Sequence, residues 1–184
     1  PSNYDTCVEL GQEAALMEGV SRPGHFRGVA TVVLKLFNIV QPHAAYFGRK
    51  DYQQLMVIRR MVNDLNLAID IIACPIVREE DGLALSSRNI CLKGKDRRAA
   101  HILRTGLKKA EKMVASGERN AEKIVAEIKN VFAVEPCAQL DYVEIVDSET
   151  LKPLKQIQPG NVVLVAARVG TTRLIDNTVL EIVS

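Results

Sequence analysis

Two short stretches carry the groups that could handle phosphate. The first is Gly48-Arg49-Lys50-Asp51, between the apolar run Ala44 to Phe47 and a helical pattern opening with Tyr52-Gln53-Gln54-Leu55. A strand that turns on glycine, presents two cations and opens a helix sets backbone N–H groups and the Lys50 ammonium where an anion can sit. Asp51 is expected to be the N-cap of that helix, with Gln54 completing a capping box. Gln54 should also lean back over the helix start, toward the same place. The second stretch is Leu85-Ser86-Ser87-Arg88-Asn89. Its hydroxyls can donate to phosphate oxygens, and the planar fork of Arg88 can take one bidentately. Each stretch alone has a plainer alternative. A strand–Gly–Lys–helix joint is common, and Ser-Ser-Arg also reads as a serine cap beside a surface arginine.

The remaining polar groups say less. Arg22-Pro23-Gly24-His25 forms another node, in which His25 either meets a ligand or starts a helix with a structural hydrogen bond. His43 and His101 have no companions and read as surface or structural residues. Glu79-Glu80-Asp81 could attract magnesium, but acids in a turn are ordinarily solvated, as are the charges of Lys95-Asp96-Arg97-Arg98 on a helix. There is no Ser-His-Asp order, no zinc-ligand spacing and no G-x-x-x-x-G-K-[ST] loop. Cys7, Cys74, Cys91 and Cys137 are far apart, without a C-x-x-C pair. Cys7 and Cys74 lie in apolar runs and read as small buried thiols, which suits a reducing cytoplasm.

Composition bounds the rest. With 184 residues, 47% hydrophobic and 25% charged, the chain can fill one good core or two small ones. A net charge of +2 gives no basic field for general nucleic-acid binding. No stretch approaches the length of a membrane span, and no signal peptide is visible. The chain begins at Pro1 in the middle of a pattern, which reads as a piece of something longer.

The elements that must position these groups follow from periodicity. A strand is expected over Tyr4 to Glu9, a short helix over about Gln12 to Glu18, and a turn-rich loop from Gly19 to Gly24. A helix from about His25 to Gln41 should turn Arg27, Thr31, Lys35 and Asn38 outward and bury Phe26, Val29, Val33, Leu36, Phe37 and Val40, until Pro42 stops it. The strand Ala44 to Phe47 leads to a helix from Asp51 to Asn66 with Leu55, Ile58, Val62 and Leu65 inward. Ile69 to Cys74 then reads as a buried parallel strand closed by Pro75. This alternation is that of a doubly wound sheet, where ligands sit beyond the carboxyl ends of the strands. After Pro75 the pattern changes. An irregular stretch to Gly94 precedes a long helix from about Lys95 to Ser116, burying Ala99, Leu103, Leu107, Ala110 and Met113 or Val114, with Gly117 as its C′ residue. A helix from Asn120 to Val134 follows, then strands at Leu140 to Asp147, Val162 to Val169 and Thr178 to Val183, the last two linked through Gly170 to Asp176. The expected domains are 1–75 and 76–184.

Three runs together resemble the pantothenate synthetase (pantoate–β-alanine ligase) family: Glu18 to Val29, Phe47 to Leu55 and Asp81 to Asn89, with Leu174-Ile175-Asp176-Asn177 similar to the family's closing segment. The resemblance implies an α/β fold: the C-terminal part of a doubly wound, Rossmann-like sheet of the nucleotidyltransferase type, then a small α+β domain with helices and a three-stranded antiparallel sheet. It implies a ligase that joins pantoate and β-alanine through a pantoyl-adenylate, releasing AMP and pyrophosphate, with ATP and Mg²⁺. Gly48, Arg49, Lys50, Asp51, Val77, Leu85, Ser86, Ser87 and Arg88 would form the ATP site. Lys50 would lie on phosphate, Gly48 and Asp51 near the ribose, and Val77 against adenine through its backbone. Ser86, Ser87 and Arg88 would hold the triphosphate, and these three with Lys50 would serve the chemistry. Gln54 would bind pantoate. Family members are commonly homodimers. The family's His-x-Gly-His motif is absent from these residues, so the chain alone is expected to be inactive or severely impaired. Other readings are a binding and dimerisation module, or a related nucleotidyltransferase with a different acceptor.

Overall fold

The computed structural model describes residues 3–182 and divides into two compact units, Pro1–Pro75 and Ile76–Ser184. In the first, a 3-10 turn Gln12–Ala15 and the single-turn helix α1 (Glu18–Ser21) precede the long helix α2 (His25–Val40). Strand β1 (Ala44–Gly48), a 3-10 turn (Arg49–Asp51), helix α3 (Tyr52–Asp64) and strand β2 (Asp70–Cys74) complete the unit. β1 and β2 pair in parallel, Ala44 opposite Asp70 through Gly48 opposite Cys74, with α3 as the crossover. Ala30, Phe37, Ile58, Met61 and Val62 form the core, and Ala45, Phe47 and Ile71 pack on it from one face of the sheet.

Several local expectations are corrected. Residues 4–10 form no strand; the Val8 N–H is taken by the Thr31 hydroxyl at 2.9 Å instead of a neighbouring strand. The helix expected over Gln12 to Glu18 is broken at Met17, whose φ is 41°. α2 buries Phe26, Ala30 and Phe37, whereas Leu36 and Val40 are exposed, because only one face of the helix meets α3 and the sheet. Leu65 is also exposed, having fallen beyond the last turn of α3. β2 is not buried: Ile72 (39% exposed) stands on the sheet face opposite the core, beside Tyr46 (68%) of β1. A complete doubly wound sheet hides both faces; the two parallel strands here, with one face open among the described residues, are the expected part of such a sheet.

In the second unit a 3-10 turn (Ser87–Cys91) leads to α4 (Gly94–Ala99), α5 (Ile102–Ala115) and α6 (Ala121–Ala133). The expected single helix over Lys95 to Ser116 is thus two. At the break the His101 and Leu103 N–H groups bond to Arg98 and Ala100, three residues back rather than four. Gly117, with φ at 95°, sits just past the C-cap Ser116, and the Asn120 side chain caps α6 by accepting the Lys123 N–H at 3.0 Å. Strands β3 (Ala138–Val146), β4 (Val162–Val169) and β5 (Thr172–Val179) form an antiparallel sheet in sequence order. β4 and β5 meet at the two-residue turn Gly170-Thr171, so β5 starts earlier than expected and takes in Leu174 to Asp176. Val183, the end of the expected last strand, lies outside the described residues. α5 and α6 cover the sheet, with Leu103, Leu107, Ile124, Ile128, Val163 and Val165 at the centre of the core. Gly106 lets the two helices approach: a Cβ there would stand 3.1 Å from Ile128 Cγ2 and 3.2 Å from Phe132 Cε2.

Candidate active site

The expected site residues form one group in each unit. In the first, β1 delivers Gly48 at its carboxyl end, the Arg49–Asp51 turn follows, and α3 carries Gln54 as its third residue. Gly48 does not itself make the turn. Its backbone is extended (φ −69°, ψ 134°), and a Cβ built on it would meet nothing within 4 Å. Asp51 holds the N-cap position of α3 but makes no capping hydrogen bond, so the expected capping box with Gln54 does not form. The preceding 3-10 turn gives Asp51 a ψ of 61°, short of the extended conformation usual for that position. Its carboxylate instead lies 3.7 Å from Lys50 Nζ.

Beside Gln54 stands a residue with a different task. Gln53 is 5% exposed. Its Oε1 accepts the Glu18 N–H at 3.1 Å, and its Nε2 donates to the Glu13 and Leu16 carbonyls, both at 2.8 Å. It latches the 13–18 segment onto α3. That segment leads to Arg22, whose guanidinium meets His25 Nε2 at 2.8 Å; His25 is the first residue of α2, as the structural alternative required. Cys7 is not buried. Arg27 grips its sulfur through Nε at 3.0 Å and a terminal nitrogen at 2.7 Å, in a cleft of about 470 Å³ also lined by Tyr4, Thr31 and Lys35. Cys74 is half-buried, following the openness of β2.

In the second unit, residues 77–85 double back as a narrow hairpin. Arg78 bridges to Ala84, the Leu85 N–H donates to the Val77 carbonyl at 2.9 Å, and the Leu83 carbonyl accepts the Glu79 N–H at 2.8 Å. The hairpin brings Val77 and Leu85 side by side and feeds directly into Ser86-Ser87-Arg88. Ser86 caps the 3-10 turn, its hydroxyl accepting the Arg88 N–H at 3.3 Å. Arg88 is exposed, with one loose contact of 3.5 Å to the Arg173 carbonyl on β5.

The acids of this hairpin are not simply solvated. Arg97 on α4 donates to Glu79 at 2.7 Å and to Asp81 at 2.6 Å, and Asn89 donates to Glu79 as well. Arg97, with help from the Leu83 N–H, holds the Asp81 carboxyl below its usual range. Glu79 is held low first by the Asn89 amide and then by Arg97. At the root of the hairpin, Arg78 pairs bidentately with Asp176 at 2.7 and 3.0 Å. Sequence reading missed this pair, whose partners are far apart in the chain, yet a signal existed. In β5 the inward positions run Thr172, Leu174, Asp176, and a carboxylate on the buried phase of a strand demands a cation. Among the described residues no cluster of three or more His, Cys, Asp or Glu could hold a metal, and no helix is long and apolar enough to cross a membrane.

Comparison with known proteins bears on the whole of this arrangement. The profile of the pantoate-beta-alanine ligase family matches residues 2–179. The pantothenate synthetase of Roseiflexus castenholzii is 53% identical over 98% of this chain, and that of Thermotoga petrophila 54% identical over 98%. The chain spans 65% and 64% of the lengths of those relatives, just under two thirds. A crystal structure of pantothenate synthetase from Thermus thermophilus superposes with a TM-score of 0.94 at 43% identity, covering 98% of this chain and 66% of that one. Pantoate-beta-alanine ligase from Francisella tularensis, solved in complex with beta-gamma ATP and beta-alanine, gives a TM-score of 0.72 at 34% identity, covering 95% of this chain and 58% of its own. With nearly every residue inside the family profile, the chain belongs to the pantoate-beta-alanine ligase family.

Proposed function

We propose that the chain is the ATP-handling part of a ligase that condenses pantoate with β-alanine. The observation that carries this reading is the family match over residues 2–179. In the reaction, a pantoate carboxylate oxygen attacks the α-phosphorus of ATP, and the bond to pyrophosphate breaks. The β-alanine amine then attacks the acyl carbon of the adenylate, which loses AMP. Neither step needs a covalent bond to the protein. What both need is positive charge and oriented donors where negative charge develops. Lys50 and Arg88 supply the charge, and Ser86 and Ser87 supply hydroxyls. Arg49, Asp51 and Leu85 flank these groups. Val77 offers adenine its N–H, since its carbonyl is already taken by Leu85. The Gln54 side chain makes no hydrogen bond among the described residues and is free to meet pantoate.

Gly48 supports the nucleotide reading independently. A strand glycine costs stability, and here neither its backbone angles nor its surroundings require one. A ligand lying close to the backbone accounts for it. Magnesium fits as an ion carried by the phosphates: the loop offers hydroxyls and a guanidinium, and Glu79 and Asp81 are engaged with Arg97. When bound, it would offset phosphate charge. A cytoplasmic location is proposed with the four free thiols in its favour. A homodimer is also proposed, because Val32, Leu36, Ile39 and Val40 make an exposed apolar stripe along α2.

Calorimetric titration with ATP and magnesium tests the assignment. Lys50→Ala and Arg88→Ala should each weaken binding roughly tenfold or more, the scale of a lost charge-assisted hydrogen bond. Gly48→Ala should weaken it without loss of stability. Pyrophosphate–ATP exchange that depends on pantoate identifies the acid. Exchange with another acid or alcohol alone would favour a different nucleotidyltransferase, and self-association without ATP binding would favour the dimerisation module.

A further inference from the structure

We propose that Arg78 is a positioning residue for the Ser86-Ser87-Arg88 loop, acting through its ion pair with Asp176. The inference rests on the reading of that loop as phosphate-binding. One guanidinium makes four contacts that together fix the hairpin. Nη1 donates to Asp176 Oδ2 at 2.7 Å and to the Gly82 carbonyl at 3.0 Å. Nη2 donates to Asp176 Oδ1 at 3.0 Å and to the Asn177 carbonyl at 3.3 Å. The tip of the hairpin and its first arm are thereby tied to β5 by a single planar group.

Burial makes the tie firm. The Asp176 side chain is 1% exposed, and a carboxylate there without its cation would be strongly disfavoured. The second arm transmits the constraint. Ala84 pairs with Arg78, its carbonyl also accepts the Asn89 amide at 3.1 Å, and the next residues are Leu85 and Ser86. Just past the loop, Asn89 returns to the same hairpin, donating to Glu79 and to the Ala84 carbonyl, while the Arg88 side chain reaches the Arg173 carbonyl loosely, at 3.5 Å. Both ends of the loop are therefore held to the hairpin that Arg78 ties to β5, while the Arg88 side chain is left to close on a ligand. Donors held in place before the ligand arrives bind without an ordering cost.

The test uses the 184-residue chain. Arg78→Met combined with Asp176→Asn removes both partners and leaves no buried charge unpaired; Arg78→Lys keeps the charge and loses the fork; Arg88→Ala is the control for the loop itself. Amide hydrogen exchange and titration with ATP and magnesium are read on each. The double variant should keep the melting temperature of the β3–β5 sheet, while exchange at residues 83–88 rises and ATP affinity falls about tenfold, as expected for a loop that must now be ordered on binding. Arg78→Lys should recover part of both. Unchanged exchange at Ser86 to Arg88 in the double variant overturns the proposal, as does full ATP affinity there when Arg88→Ala has lost it. If exchange rises but Arg88→Ala binds ATP normally, the phosphate reading of the loop is what fails, and Arg78 positions nothing for ATP. A wild-type chain that takes up no ATP likewise defeats that reading, and the exchange measurement alone then decides whether Arg78 holds the loop. Should the double variant not fold, Arg78→Lys carries the same decisions.

Discussion

Gln53 and Gln54 are neighbours of identical chemistry, and of the two only the Gln53 side chain is taken up by hydrogen bonds among the described residues. Replacing Gln53 by alanine removes three hydrogen bonds to the backbone of Glu13, Leu16 and Glu18, at a site 5% exposed. At about 1 kcal/mol each net, the loss is about 3 kcal/mol. The 13–18 segment can limit the damage by lifting away and letting water satisfy its freed groups, so this figure is a ceiling for global stability. Local opening of residues 13–18 supplies the remainder. Gln54→Ala breaks no bond among the described residues and should cost under about 0.5 kcal/mol. The chain has no tryptophan, and three of its four tyrosines (Tyr4, Tyr46 and Tyr52) lie in the first unit. Tyrosine fluorescence during urea unfolding therefore reports mainly on that unit. Gln53→Glu adds a test of sign. Its carboxylate would face the Glu13 and Leu16 carbonyls, so its folded pKa must rise above the unfolded value of about 4.3. The stability it retains is then present below that value and lost as pH climbs through the raised one. If Gln53→Ala and Gln54→Ala unfold at the same urea concentration, or if Gln53→Glu is indifferent to pH, the latch is wrong.

Other expectations concern the second unit. Because the Asp81 and Glu79 carboxyls are held low, the stability they lend is present above their ordinary values near pH 4 and disappears as pH falls through the lowered ones. Thermal unfolding followed from neutral pH downward should stay level until about pH 4 and then fall, and Arg97→Ala should flatten that fall. Gly106→Ala pits about 1 kcal/mol of helix propensity against about 1–3 kcal/mol of overpacking. Since the added Cβ would press on both Ile128 and Phe132, a net loss of about 1 kcal/mol in urea unfolding is expected. In the first unit, Gly19→Ala would place a Cβ 1.8 Å from the Ala14 carbonyl oxygen. Backbone cannot yield as a side-chain tip does, and limited proteolysis should find residues 11–21 opened.

Where the chain's periodicity was strong, it could be read directly. α2, α3 and α6 lie where the spacing of apolar residues puts them, and β4 spans the expected Val162 to Val169. The errors share a cause. Leu36, Val40, Leu65 and the β2 residues look buried because they are apolar, yet burial depends on what stands opposite, which no single segment records. The strand expected over Tyr4 to Glu9 fails for the same reason: its residue types suit a sheet, and no neighbouring strand takes up its N–H groups. The candidate site could be read only as residue types, since hydroxyls and cations suit phosphate but equally suit a cap or a solvated surface. Its supports could not be read. Arg78 looked like any arginine before an acidic turn, Arg97 like part of a solvated helix, and Gln53 like a twin of Gln54, until long-range contacts gave each a role.

The open face of the β1–β2 sheet has a practical consequence. Each strand leaves its outer edge without a neighbour among the described residues, apart from Arg59 reaching the Ile71 carbonyl at 3.4 Å, and Tyr46 and Ile72 lie bare beside those edges. Such margins are templates on which other extended segments, including those of identical molecules, can zip. Crowding the solution should therefore raise light scattering with no change in the folded monomer, so protein concentration becomes a hidden variable in any ligand titration on this chain.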